Sequence, residues 1–445
     1  MDKSKRAVIL GGGLTGLVTA DKLQSAGYDV TIVEKTNKVG GMCRSEMRTH
    51  GTDRVLYDFG PHKFAPADQR AMDYFMGYVS NPINVDITGA VIIRGKKFDY
   101  PVKVTEILKN FPVDGIRCGI DFFLKIFASE DGTYAGYLTK KMGRHTYDFV
   151  FRDYAKKIWG DPKGLDRELA RTRVVTPGLL DVIKNMISGE NTLTFKSFVY
   201  PNLCMGVFLK FIEMKILDGG GRIWTNSEPL SYNGRKLVIS KEGRAVSFDN
   251  PLVISTIKPR DMAKVMSLGS RPLSKLRYRG INLYYFLVEG VRPINTWLFF
   301  PEKSVIFNRT SINFHPAAAG KGKFLLCAEV TGKLDNAPLA ILSVKKQVCD
   351  IYGLHRDDVV ASWHEYLEDA YPIYHVGFKD DIKHVLRMIE SHGNVFCIGR
   401  HACHNYNNMD HTIVEACDLV DIVDSGGKIH DWQKKRDSYD WRIVD

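Results

Sequence analysis

The sequence predicts an α/β protein with a Rossmann-like dinucleotide-binding domain, an inserted helical region and a mixed β-sheet domain. Three observations support this fold class. Residues 6–34 have the pattern of a strand, a glycine-rich turn, a helix and a second strand. Residues 100–190 contain long stretches with helical spacing, and residues 280–335 alternate between apolar and polar side chains as strands do.

The first unit begins with a short strand, 6–10, that is apolar after its arginine, as in buried strands of parallel sheets. A helix is predicted over 17–26 and a second strand over 28–33. In such units the first glycine allows a tight turn, the second lets the backbone approach a pyrophosphate, and the third allows close helix–strand packing. The helix N-terminus adds partial positive charge. The pattern therefore predicts a dinucleotide site at Gly11, Gly13, Leu14, Thr15 and Gly16.

Glu34 stands at the tip of the second strand, where a carboxylate accepts hydrogen bonds from a ribose diol. A carboxylate at this place disfavours a 2′-phosphate on that ribose. Lys35 follows directly and is included among the cofactor-binding candidates. The alternative is an ordinary α/β turn in which Glu34 is solvated.

The predicted domains interleave along the chain. The dinucleotide-binding domain is expected in three parts, at 1–95, 201–265 and 386–445. A mainly helical substrate region spans 96–200, and a β-sheet substrate domain spans 266–385. Within these two regions the helical stretches are 104–110, 119–127, 144–158 and 179–187, and the strands are 281–290, 296–300, 304–308 and 323–330.

The stretch 119–127 is strongly apolar and predicts a buried helix. The alternative is a helix that docks on a membrane or a partner, in a protein whose cofactor has only a structural role. The chain contains no run of 18 apolar residues, so we expect no membrane span.

Composition narrows the classes of function. The chain has 445 residues, of which 44% are hydrophobic and 25% are charged, and this excludes a disordered chain or a coiled coil. A net charge of +11 favours acidic partners, but there is no basic run with interleaved aromatics, so nucleic acid is not expected. Eight scattered cysteines without a CxxC pair indicate reduced thiols and a cytoplasmic protein. The oligomeric state is not predicted.

A cluster of possible metal ligands lies near the end of the chain. His401, Cys403, His404 and His411 have a spacing that matches no common zinc site, so we predict no metal.

The segment Gly40-Gly41-Met42-Cys43-Arg44 bears on whether the bound dinucleotide is FAD or NAD. It resembles the glycine pair of a large flavoprotein group that contains amine oxidases, protoporphyrinogen oxidase, phytoene desaturases and UDP-galactopyranose mutase. The resemblance implies a glutathione-reductase-type FAD-binding domain, in which Gly41 and Met42 pass close to the cofactor and Arg44 sits near the flavin. The alternative is a glycine-rich loop with a surface arginine.

The C-terminal part resembles the same group. Residues 395–400 are similar to the segment in which a strand ends beside the ribityl chain, which implies cofactor contacts for Gly399 and Arg400. Asn408, Met409 and Asp410 would then lie at the N-terminus of the last helix, where backbone N–H groups meet the flavin pyrimidine edge. Asp410 could also cap that helix.

Several segments resemble the UDP-galactopyranose mutase branch specifically. They are Asp58-Phe59-Gly60-Pro61-His62, Tyr154-Ala155-Lys156-Lys157-Ile158-Trp159, Leu169-Ala170-Arg171-Thr172-Arg173, Phe307-Asn308-Arg309 and Tyr406-x-x-Met409-Asp410. Two departures stand out. The Glu-Tyr-Pro segment of the mutases is Glu329-Val330-Thr331 here, and their Gly-Gly before the histidine is Gly60-Pro61.

This narrower resemblance implies a sugar mutase. N5 of reduced flavin would attack the anomeric carbon of a nucleotide-sugar, and a pyranose and a furanose would interconvert without net redox change; NAD(P)H is a candidate reductant for the flavin. His62 and Arg309 are the implied catalytic residues, with Gly60, Pro61 and His62 at the flavin face. The implied substrate-binding residues are Trp159, Arg171, Arg173, Lys196, Arg309 and Tyr406. The alternative is an oxidoreductase of the amine oxidase, protoporphyrinogen oxidase or desaturase type.

Overall fold

A computed structural model describes residues 5–100, 102–125, 129–174, 197–293, 295–334 and 336–442. The helix expected at 179–187 and the candidate Lys196 lie outside the described residues.

The strands of the described chain are β1 Arg6–Leu10, β2 Asp29–Val33, β3 Ser45–His50, β4 Asp53–Asp58, β5 Ile83–Asp86, β6 Gly89–Ile93, β7 Lys96–Asp99, β8 Ser197–Tyr200, β9 Arg222–Trp224, β10 Ser227–Tyr232, β11 Lys236–Lys241, β12 Arg244–Asp249, β13 Leu252–Ser255, β14 Tyr278–Glu289, β15 Trp297–Phe299, β16 Arg309–Ile312, β17 Lys323–Thr331, β18 Val359–Pro372 and β19 Val395–Cys397.

The α-helices are α1 Leu14–Ser25, α2 Gln69–Met76, α3 Val104–Asn110, α4 Pro112–Leu124, α5 Tyr134–Met142, α6 Arg144–Thr146, α7 Arg152–Ile158, α8 Arg167–Arg173, α9 Met205–Asp218, α10 Pro259–Val265, α11 Ala337–Tyr352, α12 Phe378–Glu390, α13 Gly399–Ala402, α14 Met409–Asp424 and α15 Ile429–Asp437. A π-helical turn, Tyr147–Phe151, joins α6 to α7, and short 3₁₀ turns occur at Gly41–Cys43, Arg271–Ser274, Pro316–Ala319 and Arg356–Asp358.

A five-stranded parallel sheet, in the order β19-β13-β1-β2-β9, forms the first layer. Its central strand pairs Ala7 with Val30 on one side and with Leu252 on the other. The strands come from three separate parts of the chain, and their apolar side chains are buried under α1, α9 and α14. This arrangement is the Rossmann-like α/β fold that the sequence predicts.

A seven-stranded mixed sheet, in the order β18-β14-β17-β16-β15-β6-β7, forms the second layer. Its pairs are antiparallel except for β15 with β6. One face carries a core that includes Tyr284, Phe286 and Val344 of α11. The other face carries a second core, in which Tyr285 and Trp363 pack against Tyr57 of β4. A mixed β-sheet domain is therefore confirmed.

The strand expected over 304–308 is wrong, because this segment forms a turn before β16. The ammonium group of Lys157 donates hydrogen bonds to the carbonyl oxygens of Phe300 (2.7 Å), Glu302 (2.8 Å) and Phe307 (2.8 Å). Burial lowers the pKa of Lys157 to about 7. Seven residues of extended strand would span about 23 Å, so the carbonyls of Phe300 and Phe307 can bind one ammonium group only because the chain turns between them.

Residues 119–124 of the helix expected at 119–127 belong to α4, and 126–127 lie outside the described residues; the expectation of burial is wrong for the outer face of α4. Ile120, Phe123 and Leu124 are exposed, whereas Gly115 and Cys118 face inwards. A Cβ atom on Gly115 would lie 2.3 Å from Cα of Leu108, so α3 covers the inner face closely. Among the described residues, no helix is both long and apolar enough to cross a bilayer.

Candidate functional site

The glycine turn at the carboxyl end of β1 has the geometry of an anion-binding turn. Gly11 has a φ of +104°, and its N–H donates to the Val33 carbonyl at 2.8 Å. A Cβ on Gly16 would lie 2.0 Å from the Gly11 carbonyl oxygen, so only glycine allows this helix–strand distance. α1 begins at Leu14, three residues earlier than expected, with Gly13 as its N-cap. Because its first turn has no side-chain cap and no acidic residue, the N–H groups of Leu14, Thr15 and Gly16 can bind an anion.

Glu34 is held against this turn. One carboxylate oxygen accepts the Gly12 N–H at 2.8 Å, and the other accepts the N–H and the hydroxyl of Thr36, both at 2.8 Å. The residue is only 8% exposed, so the alternative of a solvated Glu34 is wrong. Lys35 points into solvent.

The second glycine pair packs directly on the first turn. The Gly40 N–H donates to the Gly12 carbonyl at 2.7 Å. A Cβ on Gly41, whose φ is +56°, would lie 3.0 Å from Cα of Gly13. Arg44 follows and donates to the Gly41 carbonyl at 3.1 Å, with its guanidinium carbon 3.8 Å from the centre of the Phe59 ring. The segment is therefore a backbone-lined seam rather than a loop with a surface arginine.

His62 lies on the other side of this seam. Its Nε2 is 2.9 Å from the Met42 carbonyl, and because a carbonyl can only accept, Nε2 carries the proton. Burial lowers the pKa of His62, and the nearby Asp58 carboxylate opposes that shift. Gly60 N–H donates to the Tyr285 hydroxyl at 3.2 Å, with the half-buried Pro61 beside it. The imidazole is thus held neutral at the backbone of the Gly41–Cys43 turn.

The C-terminal segment returns to the glycine turn. Gly399 has a φ of +87°, and a Cβ there would lie 2.5 Å from Oγ1 of Thr15, so α13 abuts the start of α1. Met409 and Asp410 are buried in the first turn of α14. The cap of α14 is Asn408, not Asp410: the Asn408 side chain accepts from the N–H of His411, and His411 Nδ1 accepts the Asn408 N–H at 3.2 Å.

The histidines of this segment bind backbone groups. Nε2 of His401 donates to the Asp369 carbonyl at 2.8 Å, and Nε2 of His404 lies 3.2 Å from the Ile373 carbonyl. The Cys403 thiol is directed at the Cys397 carbonyl, 3.6 Å away. Together with the capping role of His411, these contacts direct the side chains of the four possible metal ligands to four different partners.

Aromatic rings and arginines gather where the helical region meets α13. The indole N–H of Trp159 donates to the Tyr406 hydroxyl at 2.6 Å. The guanidinium carbons of Arg400 and Arg173 lie 4.9 Å and 5.4 Å from the centre of the Tyr406 ring. The Tyr371 ring stacks on Tyr406 with the ring centres 6.1 Å apart. We call Trp159, Arg173, Tyr371, Arg400 and Tyr406 the arginine–tyrosine cluster.

Arg400 is placed by carbonyl groups. It donates from Nη1 to the Asn407 carbonyl at 3.1 Å and from Nη2 to the Ala370 carbonyl at 3.0 Å. Within the described part of the chain, its buried Nε has no hydrogen-bond acceptor. Burial raises the pKa of Tyr371 and of Tyr406, so both hydroxyls stay protonated and can donate. A cation held by carbonyl groups keeps its charge for an anionic ligand.

Arg309 has a different setting. Its Nε and Nη2 donate to the two carboxylate oxygens of Glu329 at 2.7 Å and 2.9 Å, in a bidentate pair. Glu329 is 1% exposed. Burial alone would lower the pKa of Arg309, but the Glu329 carboxylate outweighs this effect and raises it. Arg309 is therefore charged but neutralised, and Nη1 is the nitrogen that the pair leaves for a ligand.

Arg171 is directed away from the cluster. Its guanidinium forms ion pairs with Glu168 and Asp440. Arg171 and Arg173 stand two residues apart, and this spacing turns their side chains about 200° from each other around α8. The structure thus brings Trp159, Arg173 and Tyr406 together, places Arg309 near His62 and Tyr371, and separates Arg171 from them.

Tyr371 was not identified from the sequence, and neither was the place of Arg400 in the arginine–tyrosine cluster. Tyr371 lies at the end of a long strand, where only the following proline distinguishes it from other sheet tyrosines. Arg400 was expected only at the cofactor, but it also contacts the rings of Tyr371 and Tyr406. Both depend on contacts between segments far apart in the chain.

Comparisons with known proteins agree with this geometry. Residues 9–78 match the family model described as an NAD(P)-binding Rossmann-like domain. The UDP-galactopyranose mutase of Mycoplasma pneumoniae is 20% identical over 424 residues, which is 92% of this chain and 94% of that protein.

Two solved structures share the fold. A crystal structure of reduced UDP-galactopyranose mutase superposes with a TM-score of 0.81 at 20% identity, covering 94% of this chain and 95% of that one. A candidate protoporphyrinogen oxidase from Exiguobacterium sp. 255-15 superposes with a TM-score of 0.72 at 13% identity, covering 95% and 99%. The chain is therefore a homologue of UDP-galactopyranose mutase at low identity and an enzyme with the same Rossmann-like fold, which it also shares with the candidate protoporphyrinogen oxidase.

Proposed function

We propose that the chain binds FAD along the seam between its two glycine segments. The pyrophosphate would lie at the N-terminus of α1, with Gly11, Gly13, Leu14, Thr15 and Gly16, and the ribose at Glu34. Three features support the fit. The first turn of α1 is uncapped, a Cβ on Gly13 would meet nothing closer than Cα of Gly41 at 3.9 Å, and the backbone lines the seam throughout.

The flavin end would lie between three segments that the fold brings together. Gly41, Met42 and Arg44 form one side, Gly60, Pro61 and His62 a second, and Gly399, Arg400, Asn408, Met409 and Asp410 the third. The three-part domain, 1–95, 201–265 and 386–445, is proposed with it, because these parts supply all five strands of the parallel sheet. When bound and reduced, FAD would supply a nucleophilic N5 atom.

We propose that the substrate is a nucleotide-sugar whose sugar ring the enzyme interconverts between pyranose and furanose. The observation that carries this proposal is the arginine–tyrosine cluster beside the flavin segment. Arg400 and Arg173 would bind the diphosphate and stabilise its charge as it leaves the anomeric carbon. The protonated hydroxyls of Tyr371 and Tyr406 would donate to the same oxygens, and Trp159 fixes the hydroxyl of Tyr406.

Arg309 is proposed to act through one nitrogen only. Glu329 fixes the guanidinium plane and neutralises its charge. Nη1 would therefore donate a hydrogen bond to a substrate oxygen without adding a net positive charge to the site. His62, kept neutral by burial and fixed in place by its contact with Met42, would support the flavin face rather than transfer protons. Arg171 is not part of this proposal, because Glu168 and Asp440 bind its guanidinium.

An oxidoreductase is the second candidate. The neutralised Arg309 and the valine at position 330 favour it, because both reduce the capacity for a diphosphate compared with the mutase pattern. In that case aromatic residues around the flavin, such as Tyr371 and Tyr406, would line a pocket for a less charged substrate.

An anaerobic assay distinguishes the two candidates. The purified protein is mixed with UDP-sugars, with its flavin either oxidised or reduced by dithionite. We expect isomerisation only with reduced flavin and without stoichiometric consumption of reductant. Reduction of the oxidised flavin by an amine or a polyene, or release of peroxide in air, would contradict the mutase proposal and support an oxidoreductase. A protein that takes up no flavin would contradict both.

A further inference from the structure

α4 presents a stripe of large apolar side chains to solvent. Val113, Ile116, Ile120, Phe123 and Leu124 are 62%, 56%, 54%, 74% and 53% exposed. Their spacing places them on one side of the helix, and we call them the apolar stripe. Scattered exposed apolar residues are ordinary, but a contiguous patch on a helix indicates a surface that binds something apolar.

Positive charge accompanies the stripe. Arg117 is exposed within it, and Lys109 is exposed at the preceding end of α3. Lys125 is turned away from the stripe: its ammonium group lies 3.5 Å from the centre of the Phe122 ring and donates to the carbonyl of Lys141 at 2.8 Å. The exposed cations beside the stripe are therefore Lys109 and Arg117.

The carboxylates of α4 are turned away from this face. Asp114 binds Arg94 at 2.9 Å and Nε2 of His145 at 2.9 Å. Asp121 accepts the His145 N–H at 2.6 Å. Both acidic residues of the helix therefore anchor α4 to the rest of the helical region, and the outer face keeps an excess of positive charge.

We propose that this face of α4 docks on the surface of an anionic lipid bilayer. Apolar side chains on one side of a helix enter the region between headgroups and acyl chains, while flanking lysines and arginines bind lipid phosphates. The helix lies on the bilayer and does not cross it. The proposal does not depend on the reaction proposed above.

Charge complementarity favours lipid over a second copy of the chain. Two copies that met through this face would bring Lys109 and Arg117 of each together, in a chain whose net charge is +11. An anionic surface instead neutralises the same groups. Docking on lipid therefore buries the apolar stripe and neutralises its cations, whereas self-association would only bury the stripe.

Vesicle co-sedimentation of the full chain tests the proposal. The vesicles contain phosphatidylcholine alone or an equal mixture of phosphatidylcholine and phosphatidylglycerol. The test variant is Ile120→Ser/Phe123→Ser. The matched control is Leu339→Ser/Leu342→Ser on α11, where the two leucines are 68% and 69% exposed. Circular dichroism of all three proteins establishes that each is folded.

We expect the wild type and the control to sediment with the phosphatidylglycerol vesicles, and to be released as salt is added. Because two large apolar side chains are lost, the affinity of the α4 variant should fall by at least about tenfold. Absence of wild-type binding, equal binding to phosphatidylcholine alone, or equal binding of the α4 variant would overturn the proposal. So would a wild-type dimer that the α4 variant abolishes in the absence of vesicle binding, because the stripe would then be a contact between copies.

Discussion

The indole of Trp159, at the end of α7, donates a hydrogen bond to the hydroxyl of Tyr406 at 2.6 Å, and both side chains are buried. This bond joins the helical region to the segment between α13 and α14. It leaves the Tyr406 hydroxyl with one proton to donate, and Arg173 and Arg400 lie over the ring of the same residue. The bond therefore orients a donor that we place at the substrate phosphates.

The first prediction concerns this bond. Trp159→Phe removes the indole donor but keeps an aromatic ring. Affinity for a UDP-sugar should fall by about fivefold to tenfold, corresponding to about 1 kcal/mol for one hydrogen bond, with an unchanged FAD content. Isothermal titration on the flavin-loaded protein measures this. Trp297→Phe, on β15, is the control for loss of an indole elsewhere; an equal effect there would contradict a specific role for Trp159.

The second prediction concerns the close approach of α1 to β1. Gly16→Ala places a methyl group 2.0 Å from the Gly11 carbonyl oxygen, which must displace the turn that we assign to the pyrophosphate. The purified variant should carry little FAD, measured by absorbance and by FAD released on denaturation. Gly119→Ala on α4, where a Cβ meets nothing within 4 Å, is the matched control and should keep its FAD. Full FAD content in Gly16→Ala would place the cofactor elsewhere.

The third prediction concerns the buried pair of Arg309 and Glu329. Arg309→Met leaves the Glu329 carboxylate buried without its partner, and this should lower the free energy of unfolding by about 3–5 kcal/mol. Adding Glu329→Gln removes the uncompensated charge and should restore most of that loss. Urea denaturation of the two single variants and the double variant measures the coupling. Additive losses would show that the two residues do not form the pair described here.

The fourth prediction concerns Glu415, a buried residue of α14 close to Asn407. It accepts from the Trp441 indole at 2.9 Å and lies 3.3 Å from the Asn407 amide nitrogen, and burial raises its pKa to about 7. The folded chain therefore holds a proton that the unfolded chain has released above the ordinary carboxyl pKa. Its contribution to stability is complete below about pH 4.5 and is lost as the pH rises to about 7, a change of about 3 kcal/mol.

Glu415→Gln removes this titration. Unfolding free energies of the wild type and the variant should be compared at about pH 5 and about pH 8. The wild type should lose stability between the two values by about 2.5 kcal/mol more than the variant does. The same pH dependence in both proteins would show that Glu415 is ionised in the folded chain.

The sequence predicted the parts of the fold that depend on local pattern. The bounds of β1 agree with the expected ones, because an apolar run before a turn specifies a buried strand. The roles of Gly11 and Gly16 followed from the steric demands of a strand–turn–helix unit. These features need no information from distant segments.

The features that could not be predicted depend on distant partners. Lys157 binds carbonyls more than 140 residues away, on either side of the turn that replaces the strand expected over 304–308. Asn408 rather than Asp410 caps α14, because His411 completes the capping pair. Arg309 was expected to face substrate phosphates, but its neutralisation by Glu329 became visible only when β16 was paired with β17.

The central claim is that the substrate diphosphate binds at the arginine–tyrosine cluster, next to bound FAD. Titrating UDP into the flavin-loaded protein tests this claim most directly. Binding should perturb the flavin absorbance spectrum, because we propose that Arg400 lies at both the flavin and the diphosphate. Arg400→Met should retain FAD and lose UDP affinity by at least about tenfold, as expected for loss of a charge-assisted bond. An unperturbed flavin spectrum in the wild type, or unchanged UDP affinity in Arg400→Met, would contradict this placement of the diphosphate.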